Sequence, residues 1–212
     1  MRNRPDGSDS TVVKQERGVR TRNHLISVAA AEFDRHGYDG TSLSRLSRSA
    51  GISIGAVTFH FSAKGELASA VEDSGRAATR RVVEGVTSRG EPALDAVSSL
   101  VLALGGLIET DAAVRAAARL SQERVGAGPE WCGCWVPDVG ELLEQAAQEG
   151  QLHPEVDPRP LTLLTAHLVG GTIVRARRGR DGHPPGSVVG ELSELWRLVR
   201  RRVAAPAARG NA

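Results

Sequence analysis

The chain has 212 residues, of which 25% are charged and only 3% aromatic, and it carries a formal net charge of +2. That length allows one large or two small domains with a real buried core, and the scarcity of aromatics argues against a sheet-rich fold. Cys132 and Cys134 are too few for a disulfide framework, or for a zinc site without other ligands.

Basic residues outweigh acidic ones over residues 1–80 but not over the remainder, as in a protein with one end that meets a polyanion. The polar opening MRNRPDGSDST lacks the apolar stretch of a signal peptide. Residues 1–16 are expected to form a disordered tail. Lys14, Arg17, Arg20 and Arg22, against Glu16 alone, make the next segment basic. TRNHLISVAAAEFDRHG follows with Leu25, Ile26, Ala29, Ala30 and Phe33 at helical spacing, and Gly37 is suited to stop that helix. Thr41 or Ser42 can cap a second short helix whose inner face carries Leu43, Leu46 and Ala50. Gly51 ends it, and Ser53 caps a third over about 53–59. Three short helices with joints this tight must share one small core.

The rest reads as longer helices over 64–88, 93–108, 111–125, 137–149, 161–178 and 188–203. SRGEP, GAGPEWCGCW, HPEVDPRP and GRDGHPPG read as connectors, and residues 205–212 as a flexible tail. Segment 93–108 is almost wholly apolar and is expected at the centre of a bundle. No apolar run approaches 18 residues, so no membrane span is expected and the protein is expected to be cytoplasmic. With no strand pattern, the fold class expected is all-α.

Two short helices joined at Gly51 match a helix-turn-helix. The third helix would enter a groove about 12 Å wide, where small and hydrogen-bonding groups fit best. Ser53, Gly55 and Thr58 form its groove-facing set; Ala56, Val57, Phe59 and Phe61 are read as core.

Residues 21–67 carry Thr-Arg before an A-A-x-x-F helix that ends in G-Y, then T-S-L, then A-G-I-S-x-G-A-V-x-F-H-F-x-x-K-x-E-L. This pattern resembles the N-terminal domain of TetR-family transcriptional repressors. The resemblance implies that Thr41 and Ser42 anchor phosphate, that the third helix reads bases, that His60 contacts the backbone, and that Lys64 caps the domain and holds phosphate. Arg17, Arg20 and Arg22 would reach phosphates or the minor groove, the alternative being a solvated basic tail. The chain also departs from the family pattern: Thr58 stands where Tyr is usual, Ile54 where Lys, Arg or Pro is frequent, and Gly65 where an acid is usual. Ile54 cannot hydrogen-bond a guanine edge but can pack against a thymine methyl. An operator of its own, with fewer direct base contacts, is therefore expected.

By the same resemblance, residues 17–63 form the DNA-binding domain and 64–204 a helical ligand-binding and dimerisation domain. The partners implied are a pseudo-palindromic double-stranded DNA operator, a second copy of the chain, and a small-molecule effector that respaces the DNA-reading heads. Gly170, Leu192, Leu195, Trp196 and Val199, on the last two helices, would form the dimer interface, with intrachain core as the alternative. VKQERGVRTR, FHFSAKGELA, VRAAARLSQE and a Trp shortly before a helix followed by GQL narrow the resemblance to the γ-butyrolactone receptors of actinomycetes, which control antibiotic production. In that group a Trp in the position of Trp135 lies against the ligand. The pocket implied is walled by Trp131 and Trp135, lined by Leu100, Leu104, Leu120, Leu164 and Leu168, and offers Gln122, Thr165 and Thr172 as polar groups. Plain core is the alternative for each. Pseudo-receptors, which answer to antibiotics or to no butyrolactone, tend to be basic, and the sequence pI here is about 8.8.

Two other readings stand beside this one. A regulator whose second domain only dimerises would need no effector. An enzyme would need a motif, and neither G-x-S-x-G, H-E-x-x-H, a P-loop nor a dinucleotide fingerprint is present. No cofactor and no metal are expected, because Cys132 and Cys134, even with His153 or His167, lack a motif that supplies three or four converging ligands.

Overall fold

Apolar residues three and four apart, closed by glycine or a capping side chain, become helices in the computed structural model, which describes residues 7–124, 126–178 and 187–206. These are α1 (Gly7–His36), α2 (Leu43–Ala50), α3 (Ile54–His60), α4 (Lys64–Thr87), α5 (Ala93–Thr110), α6 (Ala112–Glu123), α7 (Val136–Gln148), α8 (Pro158–Arg178) and α9 (Val188–Val203). A 3-10 turn at Trp131–Cys134 lies between α6 and α7. Among the described residues the only strand-like pairing is one antiparallel bridge between Leu152 and Ala204. The chain is all-α.

The short helices owe their ends to local chemistry. Ser42 Oγ accepts from the Arg45 N–H at 3.2 Å and Ser53 Oγ from the Ala56 N–H at 3.2 Å, so each serves a first-turn donor that has no partner inside its helix. Gly51 sits at φ 66, where a side chain would be strained, and its N–H turns back to the Arg48 carbonyl. That left-handed residue sets the angle between α2 and α3.

Two apolar clusters form. The first joins Leu25, Ala29 and Phe33 of α1 to Leu46, Val57, Phe61, Leu67 and Val71, and includes Ala116 and Leu120 of α6. The second gathers Val83, Val97, Leu100, Leu104, Trp131, Trp135, Val139, Leu143, Leu192 and Trp196. Helix α4 serves both, with its first turns in the head and its last in the body. It passes α6 closely at Gly75, where an added Cβ would lie 2.4 Å from the Ala113 carbonyl oxygen and 2.6 Å from the Ala117 Cβ. Only a glycine permits that approach.

Three expectations change. Helix α1 starts at Gly7, inside the segment 1–16 expected to be a disordered tail; no proline interrupts the chain there, and an Arg20–Glu16 pair at 3.1 Å supports the helix one turn apart. Residues 1–6 lie outside the described residues. At the other end, the Ala205 N–H donates to the Gln151 carbonyl at 2.8 Å and the His153 N–H to the Val203 carbonyl at 2.8 Å. The expected flexible tail 205–212 thus begins with a tethered residue, and 207–212 lie outside the described residues. Finally, α5 is long and apolar enough by composition to cross a membrane, although no uninterrupted apolar run signalled it. It is half buried within the protein and packs against α4, α7, α8 and α9, as a central bundle helix does.

Candidate functional site

Helix α3 has one buried side and one bare side. Val57 is fully buried, and Phe61, just past the helix end, is too. Gly55 and Phe59 lie opposite Val57 on the helical wheel, Thr58 lies next to Gly55, and Ile54, one turn before Val57, lies at its flank. Ile54 is 46% and Phe59 84% exposed, and Ser53, Gly55 and Thr58 are exposed as well. The assignment of Phe59 to the core is corrected: Phe61 fills the core, and Phe59 stands in solvent with its ring edge-on to His60 at 5.1 Å. Its distance from Val57 was the available signal, since two residues along a helix is nearly the opposite side.

The residues expected at phosphate divide. Thr41 is 1% exposed, and its hydroxyl donates to the Gly37 carbonyl at 2.8 Å, so it braces the α1–α2 corner and has no open route to a phosphate. Ser42 is exposed but caps α2. Lys64 donates to the Tyr38 carbonyl at 2.9 Å and lies 4.0 Å from the Tyr38 ring centre, which anchors it to the same corner. His60 is half-buried at the end of α3. The Arg22 guanidinium lies 4.9 Å from the Phe61 ring centre, against the foot of α3, whereas Arg17 and Arg20 are exposed farther out on α1. Arg48, exposed on α2, is a cation near this surface that the sequence reading passed over.

The expected effector pocket is only partly assembled. Leu100, Leu104, Trp131 and Trp135 share the body core, with Leu168 packed against it and Thr165 and Thr172 buried on α8. The two indoles stand 5.6 Å apart. The Trp131 N–H donates to Thr79 Oγ1 at 2.9 Å, while the buried Trp135 N–H has no partner among the described residues. Three expected lining residues lie elsewhere. Leu120 belongs to the head core because that side of α6 packs on α1 and α4; Gln122 is exposed; and Leu164 is 44% exposed on the outer side of α8. Thr165 and Thr172 spend their hydroxyl protons on the Leu161 and Val169 carbonyls of their own helix. A separate cleft of about 740 Å³ opens between α1, α4 and the α5–α6 corner, and no residue expected to line the effector pocket borders it.

The turn that carries the tryptophans is bound to α4, the helix that also enters the head. Arg76 donates to the Pro129 carbonyl at 3.2 Å, and Arg80 donates to the Cys134 carbonyl at 3.1 Å and to Asp138 at 2.7 Å. Cys132 and Cys134 are free thiols whose pKa values burial pushes up, away from the reactive thiolate. Among the described residues, no three His, Cys, Asp or Glu side chains gather at a metal-sized site. On the far side of the body, Leu192 and Trp196 are buried within the chain and Val199 packs against its core. Leu195 and Leu198 of α9 and Leu163, Leu164 and Val174 of α8 are the exposed apolar residues, with half-buried Gly170 nearby on α8. The apolar stripe therefore splits: one side serves the core and the other faces out.

Comparison with known proteins gives a consistent set of relatives. Residues 25–71 match the family described as bacterial regulatory proteins, tetR family. The A-factor receptor protein of Streptomyces griseus is 29% identical over 198 residues, which is 92% of this chain and 68% of that protein. A crystal structure of a gamma-butyrolactone receptor, an ArpA-like protein, superposes with a TM-score of 0.75 at 28% identity, covering 92% of this chain and 93% of the other. CprB from Streptomyces coelicolor, a TetR family protein, superposes with a TM-score of 0.71 at 28% identity in a structure with its biological operator sequence, covering 91% of this chain and 92% of the other.

Proposed function

We propose that this chain, whose residues 25–71 match the tetR family and which resembles γ-butyrolactone receptors over most of its length, is a transcriptional regulator of that type: a homodimeric, cytoplasmic repressor released from its operator by a small-molecule effector. The DNA half of the reading rests on one observation. The outer side of α3 is bare from Ile54 to Phe59 while its inner side is locked to the head by Val57 and Phe61. A short helix braced this way by a preceding helix is the reading element of a helix-turn-helix. The operator is a pseudo-palindrome, because two copies joined at α8 and α9 present two such helices.

The effector is a γ-butyrolactone, a related furan-type signal or an antibiotic, and the protein controls secondary metabolism. Support comes from Trp135, 1% exposed, whose indole N–H lacks a partner among the described residues. A buried donor left unpaired is costly, and a lactone or carbonyl oxygen offers what it lacks. Among the described residues the buried Trp196 N–H has no partner either, but it lies on α9, away from the Trp131–Trp135 pair.

A second reading, a regulator with no effector, draws on Thr165 and Thr172, whose hydroxyl protons are already spent inside α8. A mobility-shift titration on the DNA upstream of the protein's own gene separates the two. Release by butyrolactones, furans or pathway antibiotics supports the sensor. Tight binding that none of them disturbs favours the second reading, and no specific binding overturns both.

A further inference from the structure

The reading face of α3 carries almost no hydrogen-bonding chemistry. Residues 53–60 contain no Arg, Lys, Asn, Gln, Asp or Glu, the side chains that pair with base edges in the major groove. Thr58 does not make up for this, because its hydroxyl proton is held inside the helix by the Ile54 carbonyl at 3.1 Å and the Gly55 carbonyl at 3.2 Å. What Thr58 adds to the outer face is its methyl group. Gly55 adds nothing, and an added Cβ there would meet only Ser53 Oγ at 4.0 Å. Ile54 and Phe59 add an aliphatic branch and a ring, at 46% and 84% exposure. Ser53 retains a free proton, since its oxygen accepts from the Ala56 N–H, and His60, half-buried at the helix end, keeps its ring nitrogens. On α2, Arg45 lies 3.8 Å from Glu32, and Arg48 Nε donates to the Ser44 carbonyl at 3.4 Å.

We propose that Ile54, Thr58 and Phe59 read the operator by apolar contact, selecting thymine C5-methyl groups in the major groove in place of hydrogen bonds to purine edges. The inference rests on the DNA-binding reading above and specifies what that surface recognises. Each base pair offers the groove a distinct set of groups, and only the thymine methyl is apolar. An exposed Phe and Ile on a solvated helix lose unfavourable hydration when they meet it. Phosphate contacts from neighbouring basic residues would fix the register without adding sequence information.

The test uses full-length protein and an operator obtained by selection from random duplexes. Each thymine of a half-site is replaced in turn by deoxyuridine, which removes the C5 methyl and leaves every hydrogen-bonding group in place. At the positions under α3, affinity is expected to fall about three- to tenfold, the scale of one buried methyl group. Phe59→Ala and Ile54→Ala, both at exposed positions, are expected to bind the thymine operator more weakly and to lose the distinction between thymine and uracil at their own base. Uracil tolerated everywhere, with binding lost instead on 7-deazaguanine or 7-deazaadenine substitution, overturns this inference alone. If the selection yields no specific sequence, the operator-binding reading falls and this inference with it.

Discussion

Arg115 Nε donates to Asp34 Oδ2 at 2.8 Å, and both side chains are essentially buried, at 1% and 2% exposure. The pair joins α6 to the end of α1, and Arg115 also donates to the Ile108 and Glu109 carbonyls of α5 at 2.6 and 3.1 Å. Arg177 of α8 donates to the Arg115 backbone carbonyl at 3.1 Å. Head and body thus meet at one buried guanidinium. Close by, Glu123 of α6 accepts from the Tyr38 N–H at 2.6 Å. Burial pushes its carboxyl up, but this N–H and Arg119 outweigh burial and hold it below the usual carboxylate range.

Removing Asp34 should therefore leave a buried, uncompensated charge. Asp34→Ala is expected to cost about 3–5 kcal/mol of stability, measured by urea denaturation. The double variant Asp34→Leu, Arg115→Leu should recover part of that loss, because both members of the buried pair go together and the charge left nearby, Arg177 at 3.7 Å from Asp34, is a quarter exposed. A single variant that unfolds at the wild-type midpoint would show that the pair contributes little.

Thr41 gives a sharper contrast between sequence and structure. With its hydroxyl bonded to the Gly37 carbonyl, Thr41→Val should cost about 1 kcal/mol of stability. Operator affinity should not change, since no phosphate contact is lost. Weaker operator binding, with stability unchanged, would return Thr41 to the DNA surface.

At the tryptophan turn, Trp135→Phe keeps the apolar ring and removes the N–H. Effector-induced release should weaken about tenfold or more, corresponding to one lost hydrogen bond of about 1.5 kcal/mol. Operator affinity without effector should stay the same. Gln122→Ala and Leu164→Ala, on outward-facing positions, should release as the wild type does. Effector titrations of the preformed DNA complex give all four values, and equal release by Trp135→Phe and wild type would remove Trp135 from the pocket.

The exposed side of α8 and α9 makes the dimer testable by position. Leu195→Glu and Leu198→Glu should yield folded monomers that bind DNA weakly. Leu192→Glu, at a fully buried position, should lose the fold itself. Light scattering reports the mass and circular dichroism the helix content. A dimer that survives both outer substitutions would place the interface elsewhere.

Much of the fold was legible because its signals are short-range. Apolar spacing, Gly37, Ser42, Gly51 and Ser53 define three tight helices without help from the rest of the chain. The same local logic misplaced Phe59, since an aromatic beside Phe61 looks like core until the wheel is anchored on Val57. Leu120 looked like pocket lining because α6 is apolar on more than one side, and no local pattern says which side meets α1 and which meets α5. Leu192 and Leu195 illustrate the same ambiguity on α9: both fit one apolar stripe, yet only the packing against α5 buries one and leaves the other bare.

The sequence by itself determined the helices, their caps, the turn at Gly51 and the kinship of residues 21–67, because each depends on neighbours within a few residues. Tertiary structure alone decided which side of each helix is inside. It buried Thr41, exposed Phe59, moved Leu120 into the head and joined Asp34 to Arg115 across 81 positions of chain. Those outcomes depend on long-range packing and on the desolvation of paired charges, and neither leaves a periodic trace in the order of residues.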